Sequence, residues 1–350
     1  MKFINSEEWL TYDDVLLVPQ LSSIRSRKNI DLKSGKLNLS IPFISSNMDT
    51  VTEENMAIAM YNAGGAGIIH RFLNADRLDQ IIKRVKSCNA LPIISVGVNE
   101  DSNDLILCAL RNRCYAFCVD VAHGHHNAVA KRVMELRERI PHHTHEGPII
   151  IAGNVATPEG VRFLVEAGAN IIKVGIGPGS HCTTRIVTGH GMPQLSAVAQ
   201  CAAEAKKFIE YLDNPIEIIA DGGIRNSGDI AKALGAGADY VMLGRLLAGT
   251  NEAPGEVIMD SKIGKKVKFY RGMASLSAQN SIGKNRAPEG VSSTVEATGS
   301  VAKIIDNLAD GLRSALSYTA VTNIAEFKEK ATFVRVTHNS YIEGTPHGAQ

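Results

Sequence analysis

The residues best placed to do chemistry in this 350-residue chain lie in one loop: Lys173-Val174-Gly175-Ile176-Gly177-Pro178-Gly179-Ser180-His181-Cys182-Thr183-Thr184-Arg185. The apolar pair Ile171-Ile172 before it reads as the end of a buried strand. Glycines at alternate positions allow positive φ and close approach of backbone to a ligand. A cysteine on such a loop could act as a nucleophile, and its hydroxyl neighbours could relay protons. A tight turn with an idle thiol explains the same stretch if it is read alone. Two further glycine turns, Asp221-Gly222-Gly223-Ile224 and Leu243-Gly244-Arg245, suit phosphate binding through backbone amides, with Ser180 adding a hydroxyl. A phosphate would repel Asp221, so the ribose hydroxyls of a nucleotide are its better partner. Arg245 could pair with the phosphate or face solvent. Lys173 on a strand could form a Schiff base, as in barrel aldolases, although an ion pair with Asp120 or Asp221 is its more ordinary role.

Eight short apolar segments are arranged to position these loops: Pro42–Ser45, Gly67–Ile69, Pro92–Val96, Ala116–Val119, Ile149–Ala152, Ile171–Val174, Ile216–Ala220 and Tyr240–Leu243. Amphipathic helical patterns alternate with them, near Glu53–Asn62, Ala75–Lys86, Asp101–Arg111, Asn127–Arg139, Thr157–Ala167, Pro193–Leu212 and Ser227–Leu234. Thr157-Pro158-Glu159 and Ser227-Gly228-Asp229 read as helix starts with a capping hydroxyl. The alternation implies parallel pairing, and the expected fold is an α/β (β/α)8 TIM barrel, one domain over 1–350. An open doubly wound sheet would more naturally carry G-x-G-x-x-G near its first strand, and none is there. In a barrel, catalytic groups gather just after the strands. Those positions hold Asn47-Met48-Asp49, His70-Arg71, Gly97, Asp120 with His123, Gly153-Asn154, Gly175 to Thr184, Asp221-Gly222-Gly223 and Gly244-Arg245.

Residues 250–295 break the rhythm. Val257-Ile258-Met259 and Val267-Lys268-Phe269 are strand-like, and the polar stretch from Ala274 to Val295 suits a mobile flap. Ile304 to Leu316 reads as the last barrel helix, and the tail after Asn339 is expected to fray. Thr11 to Pro19 allows a short strand or a turn, and His142-His143-Thr144-His145 reads as a solvated loop, not a metal site.

Hydrophobic content of 44%, 21% charged residues and a formal charge of +1 describe a globular protein without the basic excess of a nucleic-acid or membrane-surface binder. No uncharged apolar run reaches the ~18 residues of a membrane span. The first residues lack a signal peptide's pattern, and the six cysteines include no C-x-x-C. Reduced, mostly buried thiols in a cytoplasmic protein are expected.

The loop from Gly175 to Arg185, with Gly191-Met192-Pro193-Gln194-Leu195-Ser196-Ala197 after it, resembles the active-site loop of the IMP dehydrogenase/GMP reductase family. The resemblance continues in family order through Asn47-Met48-Asp49-Thr50-Val51, Ala152-Gly153-Asn154-Val155, Ala220-Asp221-Gly222-Gly223-Ile224 and Tyr270-Arg271-Gly272-Met273. It implies a (β/α)8 barrel, usually tetrameric, so a homotetramer is expected. Family dehydrogenases usually insert a regulatory domain pair after the second barrel helix. Here Arg84-Val85-Lys86-Ser87-Cys88-Asn89-Ala90-Leu91 runs straight into the third strand. Dehydrogenases also carry an Arg-Tyr pair on a long flap, where the arginine activates water. Ser275 to Glu289 is short and has none. Asn285-Arg286-Ala287-Pro288-Glu289-Gly290 and Asp120-Val121-Ala122-His123-Gly124-His125 resemble the reductases, whereas Ala248 to Glu256 and Tyr270 to Met273 are closer to dehydrogenases.

By this resemblance the chain is expected to be an NADPH-dependent GMP reductase of purine metabolism, with an IMP dehydrogenase lacking the domain pair as the alternative and an idle nucleotide sensor as a third reading. Cys182, Thr184 and Glu289 would be catalytic. Ser180, Asp221, Gly222, Gly223, Gly244, Arg245, Tyr270, Met273 and Arg286 would hold GMP or IMP. Asn47, Met48, Asp120, His123, Asn154, Gly175 and Gly177 would line the nicotinamide side. Backbone carbonyls of Gly177, Gly179 and Cys182 would hold a monovalent cation, K+ being the expected ion. Arg245 stands where the family more often has a small residue.

Overall fold

A computed structural model describes residues 8–140, 148–210, 215–281, 287–344 and 346. Eight parallel strands close into a barrel in chain order: Phe43–Ser45, Ala66–Ile69, Ile93–Val96, Ala116–Asp120, Ile149–Val155, Ile171–Val174, Glu217–Asp221 and Tyr240–Leu243. The last pairs with the first, Phe43 opposite Val241. The strands are rich in β-branched residues because both of their faces are buried. Side chains alternate between two cores. Ile44, Ile68, Ile93, Cys118, Ile151, Ile171 and Ile219 fill the barrel interior, while Phe43, Ile69, Ile94, Phe117, Ile150, Ile172 and Ile218 face the helices. The same alternation turns Lys173 inward, two residues above Ile171 on the interior face.

Alternating helices follow the strands, among them Glu54–Asn62, Ala75–Ser87, Asn103–Arg111, Asn127–Arg139, Pro158–Glu166, Gln194–Lys207 and Ser227–Gly235. Thr157 caps its helix by accepting from Gly160 N–H, as its position next to Pro158 implies. The Ser227 assignment needs correction: the cap is Asn226, whose side chain accepts from Asp229 N–H, and Ser227 is the first helical residue.

Beneath the barrel, residues 34 to 39 form a plug. Lys36 N–H donates to Glu217 Oε1 at 2.7 Å, and Leu37 N–H donates to Tyr240 Oη at 3.0 Å. The tyrosine in turn donates to Glu217 Oε2 at 3.0 Å. Gly35 has φ of +61°, and a Cβ there would lie 1.9 Å from Tyr240 Oη, so no larger residue fits. Burial, reinforced by Asp239, pushes the Glu217 carboxyl up to about 7.

Outside the barrel the structure is more regular than local sequence implies. Tyr12–Asp14 forms a helical turn, and Val15–Leu17 then pairs antiparallel with Phe333–Arg335 at the far end of the chain. The stretch read as a flap contains Ile258–Asp260, Lys265–Arg271 and Ser292–Glu296, which form a three-stranded antiparallel sheet, and the short helix Leu276–Ser281. The last barrel helix is longer than its periodicity implied, Val301–Tyr318 with Ser300 as cap, and the tail forms a helix at His338–Glu343. His142 to His145 lie outside the described residues.

Candidate active site

The loop after the sixth strand carries Cys182 at the C-terminal mouth of the barrel, partly exposed, whereas Cys108, Cys114, Cys118 and Cys201 are buried. Burial pushes the Cys114 and Cys201 thiols up to about 12, far from thiolate chemistry. The Cys182 thiol donates to Thr184 Oγ1 at 3.2 Å, and the Thr184 hydroxyl donates to Glu289 Oε2 at 2.7 Å. Glu289 lies 105 positions after Thr184, and backbone pairing brings it there. Thr183 N–H donates to Glu289 O at 3.0 Å, Cys182 bridges Gly290, and Val291 N–H donates to His181 O at 3.0 Å. The segment leading into the third flap strand is thus zipped onto the cysteine loop, forming a proton path from thiol through hydroxyl to carboxylate.

Inside the barrel mouth Lys173 Nζ sits 2.7 Å from Asp120 Oδ1 and 2.7 Å from Asp221 Oδ2, and it also donates to Asn154 Oδ1. Asn154 Nδ2 returns a bond of 2.9 Å to Asp221 Oδ2 and another of 2.7 Å to Gly175 O. Burial opposes the charge on Lys173, but the two carboxylates outweigh it and make its proton harder to remove than that of a free lysine. Burial likewise opposes ionisation of Asp120, yet Lys173, with help from Arg71 and Asn47, holds its carboxyl below the usual range. A Schiff base needs a neutral, accessible amine. Lys173 is neither, so the aldolase reading fails. Its role is to fix the side chains of three strands in one network. Gly175 is required beside it, because a Cβ there would lie 2.0 Å from Asp221 O.

Next to this network lies a cavity of about 600 Å3. Its lining includes Gly179, Ser180, Asp221, Gly222, Gly223, Gly244, Arg245, Tyr270 and Met48. The glycine turns after the seventh and eighth strands therefore converge with Ser180, as their place in the fold requires. Gly244 precedes the short helix Arg245–Ala248. Arg245 is exposed at the cavity wall, where its charge reaches His181 and Tyr270. Tyr270 Oη lies 3.7 Å from Met48 Sδ. Asp49, next to that methionine, forms an ion pair with Arg271, linking the first strand's loop to the flap sheet.

A family model described as "IMP dehydrogenase / GMP reductase domain" matches residues 9–347. The chain belongs to the IMP dehydrogenase/GMP reductase family. Within it, the GMP reductase of Ascaris suum is 38% identical over 356 residues, covering 97% of this chain and 96% of that protein. The inosine-5'-monophosphate dehydrogenase of Borreliella burgdorferi is 34% identical over 408 residues, covering 98% of this chain and 97% of that one. Among solved structures, a GMP reductase variant from Trypanosoma brucei in complex with guanosine 5'-monophosphate superposes with a TM-score of 0.88 at 29% identity, over 98% of both chains. The family members are oxidoreductases. Overall similarity is close to even between the two activities, so local geometry has to separate them.

Most of the residues expected from the family resemblance do converge. Cys182, Thr184 and Glu289 form one chain, Asn47 reaches the Asp120 network through its bonds to Asp120 and Ser95, and Met273 lies in the turn whose Ala274 O accepts from Glu289 N–H at 3.0 Å. His123 is exposed, its ring centroid 6.4 Å from that of His125. Arg286 lies outside the described residues. Two residues with a place in the site were given no role by the sequence reading, although it listed both, His181 in the cysteine loop and Arg71 at a strand exit. Buried His181 touches Ser180, Ser293 and Tyr270, and only its position beside Cys182 hinted at this. Arg71 follows the second strand, stacks on Phe72 with its guanidinium 4.5 Å from the ring centroid, and has a buried Nε without a hydrogen-bond partner among the described residues.

Proposed function

We propose that this enzyme is an NADPH-dependent GMP reductase of purine nucleotide interconversion, converting GMP to IMP and ammonia. The Cys182–Thr184–Glu289 chain is the observation that carries this reading, because a flap too short for an Arg-Tyr pair brings a carboxylate to the hydroxyl beside the nucleophile. Cys182 sulfur attacks C2 of the purine, and its proton moves through Thr184 to Glu289, along the direction in which the hydrogen bonds point. The proton then returns through Thr184 to the exocyclic amine. The C2–N bond breaks, ammonia leaves with that proton, and a thioimidate remains on Cys182. A neutral amine leaves far more readily than an amide anion, which is why the step needs this donor. NADPH, when bound, supplies hydride to C2. Cys182 then departs as thiolate with the C–S electron pair, IMP is released, and a solvent proton restores the thiol.

Asp221 would hold the ribose, Ser180, Gly222, Gly223, Gly244, Arg245 and Tyr270 the phosphate, and Met273 the base. Asn47, Met48, Asp120, His123, Asn154, Gly175 and Gly177 would face the nicotinamide. Arg71 Nε, buried and without a hydrogen-bond partner among the described residues, fits that assignment, since such a donor suits a carboxamide oxygen. A monovalent cation would sit among the carbonyls of Gly177, Gly179 and Cys182. Gly179 O accepts from Cys182 N–H at 3.0 Å and keeps a second lone pair for an ion. The enzyme would act as one barrel domain per subunit in a cytoplasmic homotetramer. Free thiols support that compartment, and exposed Ile258, Met259 and Phe269 on the flap sheet offer a surface for assembly.

Absorbance of the nicotinamide tests the reaction. NADPH is expected to disappear with GMP and release equimolar ammonia, while IMP with NAD yields no NADH. NADH formed from IMP would instead establish the dehydrogenase reading, which the Ala248 to Glu256 stretch favours.

A further inference from the structure

His181 adjoins the nucleophile but has no part in the proton path. Its side chain is buried, the residue being 7% exposed, and each of its ring atoms of consequence has a partner. Nδ1 lies 3.3 Å from Ser180 Oγ, Nε2 lies 2.6 Å from Ser293 Oγ, and the ring meets Tyr270 edge to face with centroids 4.4 Å apart. Ser180 and Tyr270 interact with each other and both line the cavity, whereas Ser293 belongs to the outer flap strand. One imidazole thus ties Ser180 to the flap sheet, whose central strand carries Tyr270 and whose edge strand carries Ser293. A neutral imidazole offers one donor and one acceptor, so each ring nitrogen can serve a different serine.

We propose that His181 is a positioning residue that confers preference for a 5'-monophosphate over the corresponding nucleoside. It does so by orienting the Ser180 and Tyr270 hydroxyls toward the phosphate. When the ring proton is on Nδ1, Ser180 Oγ accepts from it and keeps its own proton for a phosphate oxygen, while Ser293 donates to Nε2. Tyr270, held by ring contact, is left with its hydroxyl at the cavity wall. Pre-aligned donors bind an anion without the ordering cost that free rotors carry. The inference rests on the purine nucleotide reading above. It does not depend on the direction of the reaction, because GMP and IMP carry the same phosphate.

Titration calorimetry on the full-length protein, with GMP, IMP, guanosine and inosine, tests it. His181→Phe retains a ring against Tyr270 but removes both nitrogens, and the backbone bond from Val291 to residue 181 persists. The variant is expected to bind GMP and IMP about ten-fold more weakly, the loss of roughly one good hydrogen bond, with nucleoside affinity unchanged. At saturating substrate its turnover should stay within two-fold of wild type, so KM moves and kcat does not. His181→Asn should recover part of the nucleotide affinity. Should the phenylalanine variant not fold, Ser293→Ala removes the Nε2 partner at an exposed site, along with a long 3.4 Å bond to Thr294 O, and should weaken nucleotides about three-fold. Equal weakening of nucleosides and nucleotides, or unchanged nucleotide affinity, would overturn the proposal. Wild-type protein that binds neither GMP nor IMP would overturn it together with the nucleotide reading. A wrong choice of reductase shows separately, in the NADPH assay.

Discussion

At the scale of single residues, the proposed chemistry depends on three side chains with separable roles. Cys182 would make and break the covalent bond, so Cys182→Ala is expected to abolish turnover while GMP affinity, measured by calorimetry, stays within about three-fold. Retained reductase activity in that variant would rule out covalent catalysis. Glu289 would store and return a proton. Glu289→Gln keeps a hydrogen-bonding group opposite Thr184 but lacks an exchangeable acid, and it should slow ammonia release by roughly 10²-fold or more. Hydride transfer, followed in reverse as NADPH formed when IMP and NADP generate the thioimidate on Cys182, should slow much less. Equal slowing of both steps would remove Glu289 from the amine-protonating role. Cys182 and Thr184 were legible in sequence as a loop of nucleophile and hydroxyls. Glu289 was legible only through family resemblance, since nothing in its local sequence points to a partner 105 positions earlier.

At the scale of elements, the site is a junction between the cysteine loop, the first strand's loop and the flap sheet. Arg271 joins the last two: its Nε donates to Asp49 Oδ2 at 3.1 Å, and its Nη1 to Ser277 O at 2.9 Å. Arg271 is 16% and Asp49 14% exposed in their side chains, so the pair is mostly shielded from water and screening. Breaking one side leaves a poorly solvated charge. Arg271→Met is therefore expected to lower kcat about ten-fold by loosening the strand that leads to Gly272 and Met273, and adding Asp49→Ala should cost little more. Measured rates from a double-mutant cycle check this, and simple additivity would mean that the two side chains act independently. The strand-like character of Val257 to Met259 and Val267 to Phe269 was visible, but the second stretch's other partner, Ser292–Glu296, was not. That strand is mostly polar and exposed, so its sequence has little hydrophobic alternation to mark it.

For the molecule as a whole, chemistry sits at the top of the barrel and a buried carboxyl at its base. Glu217 rises from an ordinary 4.5 to about 7 in the fold. Such a group favours the folded state below its unfolded value, and the advantage is lost as pH rises through the folded value. Stability of the wild type should therefore fall relative to Glu217→Gln between pH 5 and 8, by about 3 kcal/mol. Urea midpoints of both proteins at the two pH values measure it, and a pH-independent difference would mean that Glu217 is already ionised at pH 5. The network at the top has the opposite dependence. The Asp120 carboxyl is held low, so its contribution is complete above the ordinary carboxylate range and disappears as pH falls below that range.

The sequence by itself determined the barrel, the order of its eight strands and the family, because short β-branched runs separated by amphipathic helices leave few ways to bury both strand faces. It also placed Cys182, Asp221 and Gly244 at strand exits, since period-two alternation and loop position are local properties. Tertiary structure alone decided which groups meet. It made Lys173 an ion-pair hub by turning it inward between Asp120 and Asp221. It carried Glu289 to Thr184 by backbone pairing of distant segments, and it set His181 between Ser180 and Ser293. These contacts join residues far apart in the chain, and the geometry that creates them exists only once the barrel has closed.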